Sequence, residues 1–252
     1  TVSTISLPHI GAIPLQWLSY PFTILWIAGL TNAINLVDGL DGLASGISII
    51  ALTTIGIIGY VASATDAVKL QVPLTIFILL MSVLGFFPFN FYPAKIFLGD
   101  TGALLLGFLI SVLSIQGLKN ATLITLITPL VILGVPITDT LFAMIRRKLN
   151  SRPISSADKM HLHHRLISLG FTHRGAVLTI YSMAIIFSVI AMLYMFTNTL
   201  ATILLTIACL FGLQMFIELI GLTGVDKQPL LNSLKYLGNK AYRNSVKQKR
   251  KE

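Results

Sequence analysis

Charge is what this sequence has least of. Lys, Arg, Asp and Glu make up 11% of its 252 residues, against roughly a quarter in an ordinary soluble domain. With that surface missing, 55% of residues apolar and a mean hydropathy of +0.85, a water-soluble globular domain is excluded and lipid is the solvent. Cysteine is nearly absent as well. The single Cys209 lies inside an apolar run, so no disulfide framework exists. Acidic residues number 9 against 18 basic ones, and in a membrane chain such an excess marks cytoplasmic flanks and gives no ground for a nucleic-acid partner. There is no internal repeat and no low-complexity segment. The chain opens at Thr1 without an initiator Met or a basic segment leading into an apolar core, so it reads as starting partway into something longer.

What is there in quantity is apolar runs of spanning length. A hydrocarbon core of about 30 Å needs ~20 such residues per helix. Seven segments qualify, at about Leu15–Val37, Gly42–Val61, Val72–Phe91, Gly102–Leu118, Leu123–Ile145, Ala176–Phe196 and Leu200–Leu222. The expected fold is all-α, a polytopic membrane helix bundle, with a core over residues 1–225 and a basic tail over 226–252. With the first span starting outside, 16 of the 18 Lys and Arg fall on the cytoplasmic side and only Lys69 and Lys119 outside. The N-terminus is therefore expected outside and the C-terminus in the cytoplasm. In the tail, Leu230, Leu234, Leu237 and Ala241 recur at helical spacing among Lys227, Lys235, Lys240 and Arg243. That pattern reads as an amphipathic helix on the lipid surface or as a solvated tail that holds topology.

Because acids are few, their placement is informative. Asn32-Ala-Ile-Asn35-Leu-Val-Asp38-Gly-Leu-Asp41-Gly42 closes the first span and opens the second. If helix continues through it, Asn35, Asp38 and Asp41 share a face and two carboxylates without a nearby base await a cation or donor-rich ligand. The alternative is an Asx turn with helix-capping carboxylates. A second cluster runs from Asn90 to Gly102. Asp100 and Thr101 there stand at a helix start, where an N-cap is the plain reading, yet Asn90, Lys95 and Phe97 add an amide, an ammonium and a ring to the same short loop.

The third cluster is a loop from about Arg146 to Gly175 that contains four of the five His residues, among them His161, His163 and His164, with Arg165. Zinc is disfavoured: there is no Cys, no His-x-x-x-His pair, and much positive charge. Imidazoles among Arg and Lys make a better site for a diphosphate, although a topology loop explains the bases alone. Asp139 lies well inside a span and is expected to face the bundle. Glu218 is expected either to reach the membrane edge or to pair with a tail Lys.

Taken in order, Asn32-x-x-Asn35-x-x-Asp38-Gly-x-Asp41-Gly, Phe97-x-Gly99-Asp100-Thr-Gly102 and Ala157-Asp158-x-x-His161-x-His163-His164-Arg165 resemble the motifs of the polyprenyl-phosphate N-acetylhexosamine-1-phosphate transferases. The resemblance covers essentially the whole chain. It implies transfer of N-acetylglucosamine-1-phosphate from UDP-N-acetylglucosamine to undecaprenyl phosphate at the cytoplasmic face of a bacterial cell membrane, initiating wall teichoic acid or surface polysaccharide. It further implies Mg²⁺, or Mn²⁺ in its place, on Asp100. Asp100, Asp38, Asp41, His163 and His164 take catalytic roles by the same resemblance, and Asn35, Asn90, Lys95, Phe97, His161 and Arg165 bind substrate. A second copy of the chain is a candidate partner. The His-Leu-His-His-Arg form resembles the N-acetylglucosamine branch; the branch using UDP-MurNAc-pentapeptide carries a His-His-His run. Ala103 departs from the Ser common at that position. The family's tandem Asp pair is missing, which implies that three or four earlier spans are not in this chain. The rival readings are a transporter fragment and an inactive fragment of the transferase.

Overall fold

A computed structural model describes residues 1–2, 4–7, 11–63, 70–116, 129–149, 161–221 and 228–238. The apolar runs fold as helices because lipid offers no partner for backbone N–H and C=O groups, so each must be bonded internally. Along the chain come α1 (Ser19–Val37), α2 (Leu43–Ser63), α3 (Gln71–Asn90), α4 (Gly99–Gln116), α5 (Gly134–Leu149), α6 (Leu162–Ser168), α7 (His173–Leu193), α8 (Thr199–Ile220) and α9 (Pro229–Gly238). A short antiparallel ribbon, β1 (Thr4–Leu7) with β2 (Gly11–Pro14), precedes them, Thr4 facing Pro14. The expected all-α bundle is what the chain forms, with this ribbon as the one addition among the described residues.

Among the described residues, six helices are long and apolar enough to cross a membrane: Gln16–Val37, Leu43–Val61, Gln71–Asn90, Gly99–Gln116, His173–Phe196 and Thr199–Ile220. The expected seventh, Leu123–Ile145, is not among them. Its residues 123–128 lie outside the described residues. The described α5 is only 16 residues long and runs into Arg146, Arg147 and Lys148, which lower its hydropathy. Local sequence sets the other boundaries. The Thr172 hydroxyl accepts from Gly175 N–H at 3.1 Å to start α7, and Asn198 Oδ1 accepts from Ala201 N–H at 2.9 Å to start α8.

The core lies where α1 meets α4 and where α2 packs on α3 and α7, with Leu30, Ile34, Ile47, Ile76, Ile110 and Ile180 buried. Trp26 Nε1 donates to Ser114 Oγ at 3.2 Å across α1 and α4. Leu74, Ile78 and Met81 on α3 and Leu200, Leu204 and Ile207 on α8 stand exposed, as lipid-facing side chains do. The approach of α4 to α1 depends on Gly107. A Cβ there would lie 2.8 Å from Thr31 Cα and 2.9 Å from Thr31 O, both backbone atoms that cannot yield cheaply.

Gly107→Ala is therefore expected to destabilise the bundle by about 1–3 kcal/mol. Gly85 also lies within a spanning helix, but a Cβ added there would meet no atom within 4 Å. It should tolerate Ala or gain up to about 1 kcal/mol from it. Thermal unfolding of both variants in one detergent checks this; equal shifts would show that the α1–α4 contact is not tight.

Candidate active site

The turn between α1 and α2 breaks the helix that the three-residue spacing of Asn35, Asp38 and Asp41 suggested. α1 ends at Val37, Asp38 adopts ψ 55, and Gly42 takes φ 78 before α2 begins at Leu43. Gly42 is the residue that permits this reversal. A Cβ there would also crowd Phe91 Cδ2 at 3.0 Å and Phe91 Cα at 3.2 Å. The capping alternative does not describe the carboxylates either. Asp41 Oδ2 accepts from Ala94 N–H at 3.0 Å, in the loop after α3, and not from its own helix. Asp38 stands at the C-terminal end of α1, where the helix dipole is unfavourable to a negative charge.

The 91–98 loop is tied to that turn from several sides. Ser45 Oγ donates to Asn90 Oδ1 at 2.6 Å, and Asn90 Nδ2 donates to Ile96 O at 3.0 Å. Asn90, 3% exposed, thus has both ends of its amide engaged in shaping the loop. Lys95 and Ile96 N–H groups both bond Phe89 O, at 2.7 and 3.1 Å. Above this scaffold Lys95 is exposed and Phe97 is 73% exposed. Asp100 is exposed in the first turn of α4.

Two residues at the start of α7 clamp the same loop. His173 Nε2 accepts from Asp41 N–H at 3.1 Å and its ring stacks on Tyr92 at 4.4 Å. The Arg174 guanidinium lies 5.5 Å from the Tyr92 ring centre and donates to Tyr92 O at 3.3 Å. Further along α7 the Tyr181 hydroxyl donates to Gly42 O.

The His segment docks on the other side of the turn. A side chain at Gly39 would run into the His163 imidazole, so glycine there is what lets α6 seat against the 38–42 turn. His163 is buried, His164 exposed, and their rings lie 4.2 Å apart. His161 is bonded to Asp139 at 3.0 Å, so the expectation that Asp139 faces the bundle holds. Arg165 Nε donates to Ile220 O at 2.8 Å, placing its charge at the negative end of α8. Glu218, two residues from the end of α8, is met by backbone and amide groups and not by a Lys among the described residues. Fully buried, it accepts from Leu230 N–H at 3.1 Å, Leu231 N–H at 2.8 Å and Gln214 Nε2 at 2.9 Å, anchoring the start of α9. Asp158 and Lys159, and the tail's Lys240, Ala241 and Arg243, lie outside the described residues.

The electrostatics at this end are uneven. Burial, then the charges of Asp100 and Asp41, push Asp38 up to about 6. Burial, then His164, push His163 down to about 4, so it is a neutral hydrogen-bonding ring at neutral pH and supplies no charge. One turn before Asp38, Asn35 Oδ1 is buried with no partner. No three His, Cys, Asp or Glu side chains among the described residues converge closely enough to cage a metal. Asp38 with Asp100 is the carboxylate pair that could hold a cation here, and one or two carboxylates beside waters and phosphate oxygens are what Mg²⁺ takes.

Of the residues singled out in the sequence, Asp41 holds the 91–98 loop to the 38–42 turn, Asn90 shapes that loop, His163 seats on Gly39 next to Asp38, and the charge of Asp100 acts on Asp38. Arg165 is drawn toward α8. Sequence reasoning misses Tyr92, His173 and Tyr181. His173 carries a faint signal as one of four clustered His residues, and Tyr181 carries none.

The two shifted groups oppose each other in pH. The unfolded chain protonates His163 near 6.5 and the folded one near 4, so acidification across that window costs stability, up to about 1.4 kcal/mol per pH unit. Asp38, at about 6 folded and 3.8 unfolded, is relieved of a penalty as pH falls through 6. Relative to wild type, Asp38→Asn should lose melting temperature on going from pH 6.5 toward 4, and His163→Gln should gain it. Melting curves of both variants across that range check the signs, and parallel curves would contradict them.

Comparison with known proteins places this arrangement. A family model described as glycosyl transferase family 4 matches residues 1–118. A Bacillus subtilis protein named as a probable undecaprenyl-phosphate N-acetylglucosaminyl 1-phosphate transferase is 46% identical over 224 residues, 88% of this chain and 61% of that protein. The decaprenyl-phosphate N-acetylglucosaminephosphotransferase of Mycobacterium leprae is 35% identical over 197 residues, 72% of this chain and 50% of its own length. The phospho-N-acetylmuramoyl-pentapeptide-transferase of a Staphylococcus aureus strain is 35% identical over 159 residues, 62% of this chain and 46% of its own. The chain thus spans about half to three fifths of the length of these relatives, and its residues 1–118, which carry the Asp38 and Asp100 motifs, are a glycosyl transferase family 4 domain.

Proposed function

We propose that this chain carries the larger part of a membrane transferase that moves N-acetylglucosamine-1-phosphate from UDP-N-acetylglucosamine to undecaprenyl phosphate, at the cytoplasmic face of a bacterial membrane. The observation that supports this most strongly is that three segments far apart in sequence meet at one end of the bundle: the Asp38 turn, the loop leading to Asp100, and the His helix. The B. subtilis relative's name supports the same donor and acceptor, as does the His161-Leu-His163-His164-Arg165 form. The 16 to 2 distribution of basic residues supports the cytoplasmic side.

In this reading an oxygen of the lipid phosphate attacks the phosphorus bonded to the sugar, the bond from that phosphorus to the oxygen it shares with UMP breaks, and UMP leaves with the electron pair. Catalysis of this kind is positioning and charge neutralisation. Mg²⁺, or Mn²⁺ in its place, would neutralise charge on the diphosphate oxygens when bound. Asp100, exposed at the helix start, and Asp38, whose pKa is raised by burial and then by the charges of Asp100 and Asp41, would hold it. Phe97 presents a bare ring on which a uracil can stack. Lys95 brings a positive charge within the same loop, and the unpartnered Asn35 Oδ1 offers an acceptor beside the turn. Asn90 and Asp41 serve by holding the loop to the turn. His164, exposed, faces the diphosphate while His163 supports it from Gly39.

The test uses the full-length protein in membranes with labelled UDP-N-acetylglucosamine and undecaprenyl phosphate. Release of UMP with a lipid-diphosphate sugar is expected, with no product from UDP-MurNAc-pentapeptide. Asp100→Asn, which keeps size but loses charge, should lower turnover by about 100-fold or more while expression stays near normal. Absence of UMP release by the wild type, or preference for the peptide-bearing donor, would overturn the reading.

A further inference from the structure

Asp139 has no part in the chemistry above, yet it is a carboxylate only 3% exposed, and burying a charge costs several kcal/mol unless it is well bonded. Both its oxygens are spent on the start of one helix. Oδ2 lies 3.0 Å from His161 Nδ1, and Oδ1 accepts from Leu162 N–H at 2.9 Å. α6 has seven residues, too few to hold helix without tertiary contacts. Its N-cap residue, His161, has extended backbone (φ −63, ψ 155) and makes no side-chain cap bond of its own. Asp139 supplies the missing acceptor from a different helix, α5.

The second bond does more than cap. A carboxylate bonded in this way only accepts, so the proton between the two side chains belongs on His161 Nδ1. That fixes which nitrogen of a neutral His161 keeps its lone pair, and it fixes the ring plane. The consequence reaches outward, because the His161 and His163 rings are parallel within 1° at 5.9 Å, and the His163 ring lies 4.2 Å from that of His164. His161 and His163 are buried and His164 is exposed. Asp139 thus stands at the inner end of a row of three imidazoles whose middle ring seats on Gly39, beside Asp38.

We propose that Asp139 is a positioning residue of the site, acting through His161: it sets the tautomer and plane of the inner imidazole and the start of α6, and so the placement of His163 and His164 against the 38–42 turn. The consequence for turnover rests on the function proposed above; the claim about His161 does not.

Asp139→Asn separates the two bonds. Its amide oxygen still accepts from Leu162 N–H, while its NH₂ group donates toward His161 and drives the ring proton to Nε2. In the full-length protein with ¹⁵N-labelled histidine, the wild type should show the His161 imidazole protonated on Nδ1, assigned by its loss in His161→Gln, and Asp139→Asn should lose that signature. Turnover with UDP-N-acetylglucosamine should fall about 10- to 100-fold while KM moves by less than about threefold. Adding His161→Gln to Asp139→Asn should cost little more, because the two act as a unit. Should Asp139→Asn fail to fold, His161→Gln with Asp139 intact should show the same kcat loss. A His161 without an Nδ1 proton, a kcat within about threefold of wild type in either variant, or losses that multiply in the double variant would each overturn the proposal. A full-length wild type that releases no UMP would sink the functional reading instead, and the imidazole spectrum would still decide the role of Asp139.

Discussion

Crowded, half-buried negative charge is the constraint around which this end of the bundle is built. Asp38 sits half-buried at the wrong end of a helix dipole, and burial together with the charges of Asp100 and Asp41 raises its pKa. A fold that had only its own stability to serve would relieve such a site with a cation or replace it with apolar packing. The proposed cation would supply the opposite charge that this turn calls for. The raised pKa of Asp38 and the unpartnered Asn35 Oδ1 express the same deficit in two forms.

Holding that deficit in shape falls to neutral hydrogen bonds more than to ion pairs. The 38–42 turn is fixed by Ala94 N–H on Asp41, by His173 on the Asp41 backbone and by Tyr181 on Gly42. The 91–98 loop is fixed by both ends of the Asn90 amide. Charges that do pair are spent on helix ends: Asp139 at the start of α6, Glu218 at the start of α9, Arg165 at the close of α8. α6 is thereby tied to α5 on one side and to the α8–α9 corner on the other, so a seven-residue helix is held from both sides with His163 pressed on Gly39. Apolar burial between α1, α2, α4 and α7 sets the frame, and these polar staples set the registry of the loops upon it.

Much of this was legible because polar residues stand out in so apolar a chain. The spans followed from length and hydropathy, and the three site segments from the clustering of Asp, Asn and His. Partners across space were not legible. Nothing in the sequence says that Asp139 meets His161, that Glu218 seizes a backbone instead of a Lys, or that Tyr181 reaches Gly42, since each is fixed by how helices far apart in sequence pack. The three-residue spacing of Asn35, Asp38 and Asp41 suggested continuous helix, and the Gly42 conformation at φ 78 overrode it. The apolar run before Arg146 suggests a seventh span, and of it the described residues show the helix Gly134–Leu149, with 123–128 outside them.

The central claim is that the Asp38–Asp100 carboxylates and the His helix form one site for a cation with a sugar nucleotide. Paramagnetic broadening by Mn²⁺ in protein labelled with ¹⁵N-histidine tests it most directly. The account predicts that the His163 and His164 imidazole signals broaden on adding Mn²⁺, that less Mn²⁺ is needed once UDP-N-acetylglucosamine is present, and that Asp100→Asn removes the effect. Broadening that persists unchanged in Asp100→Asn, or His163 and His164 signals that ignore Mn²⁺, would contradict it.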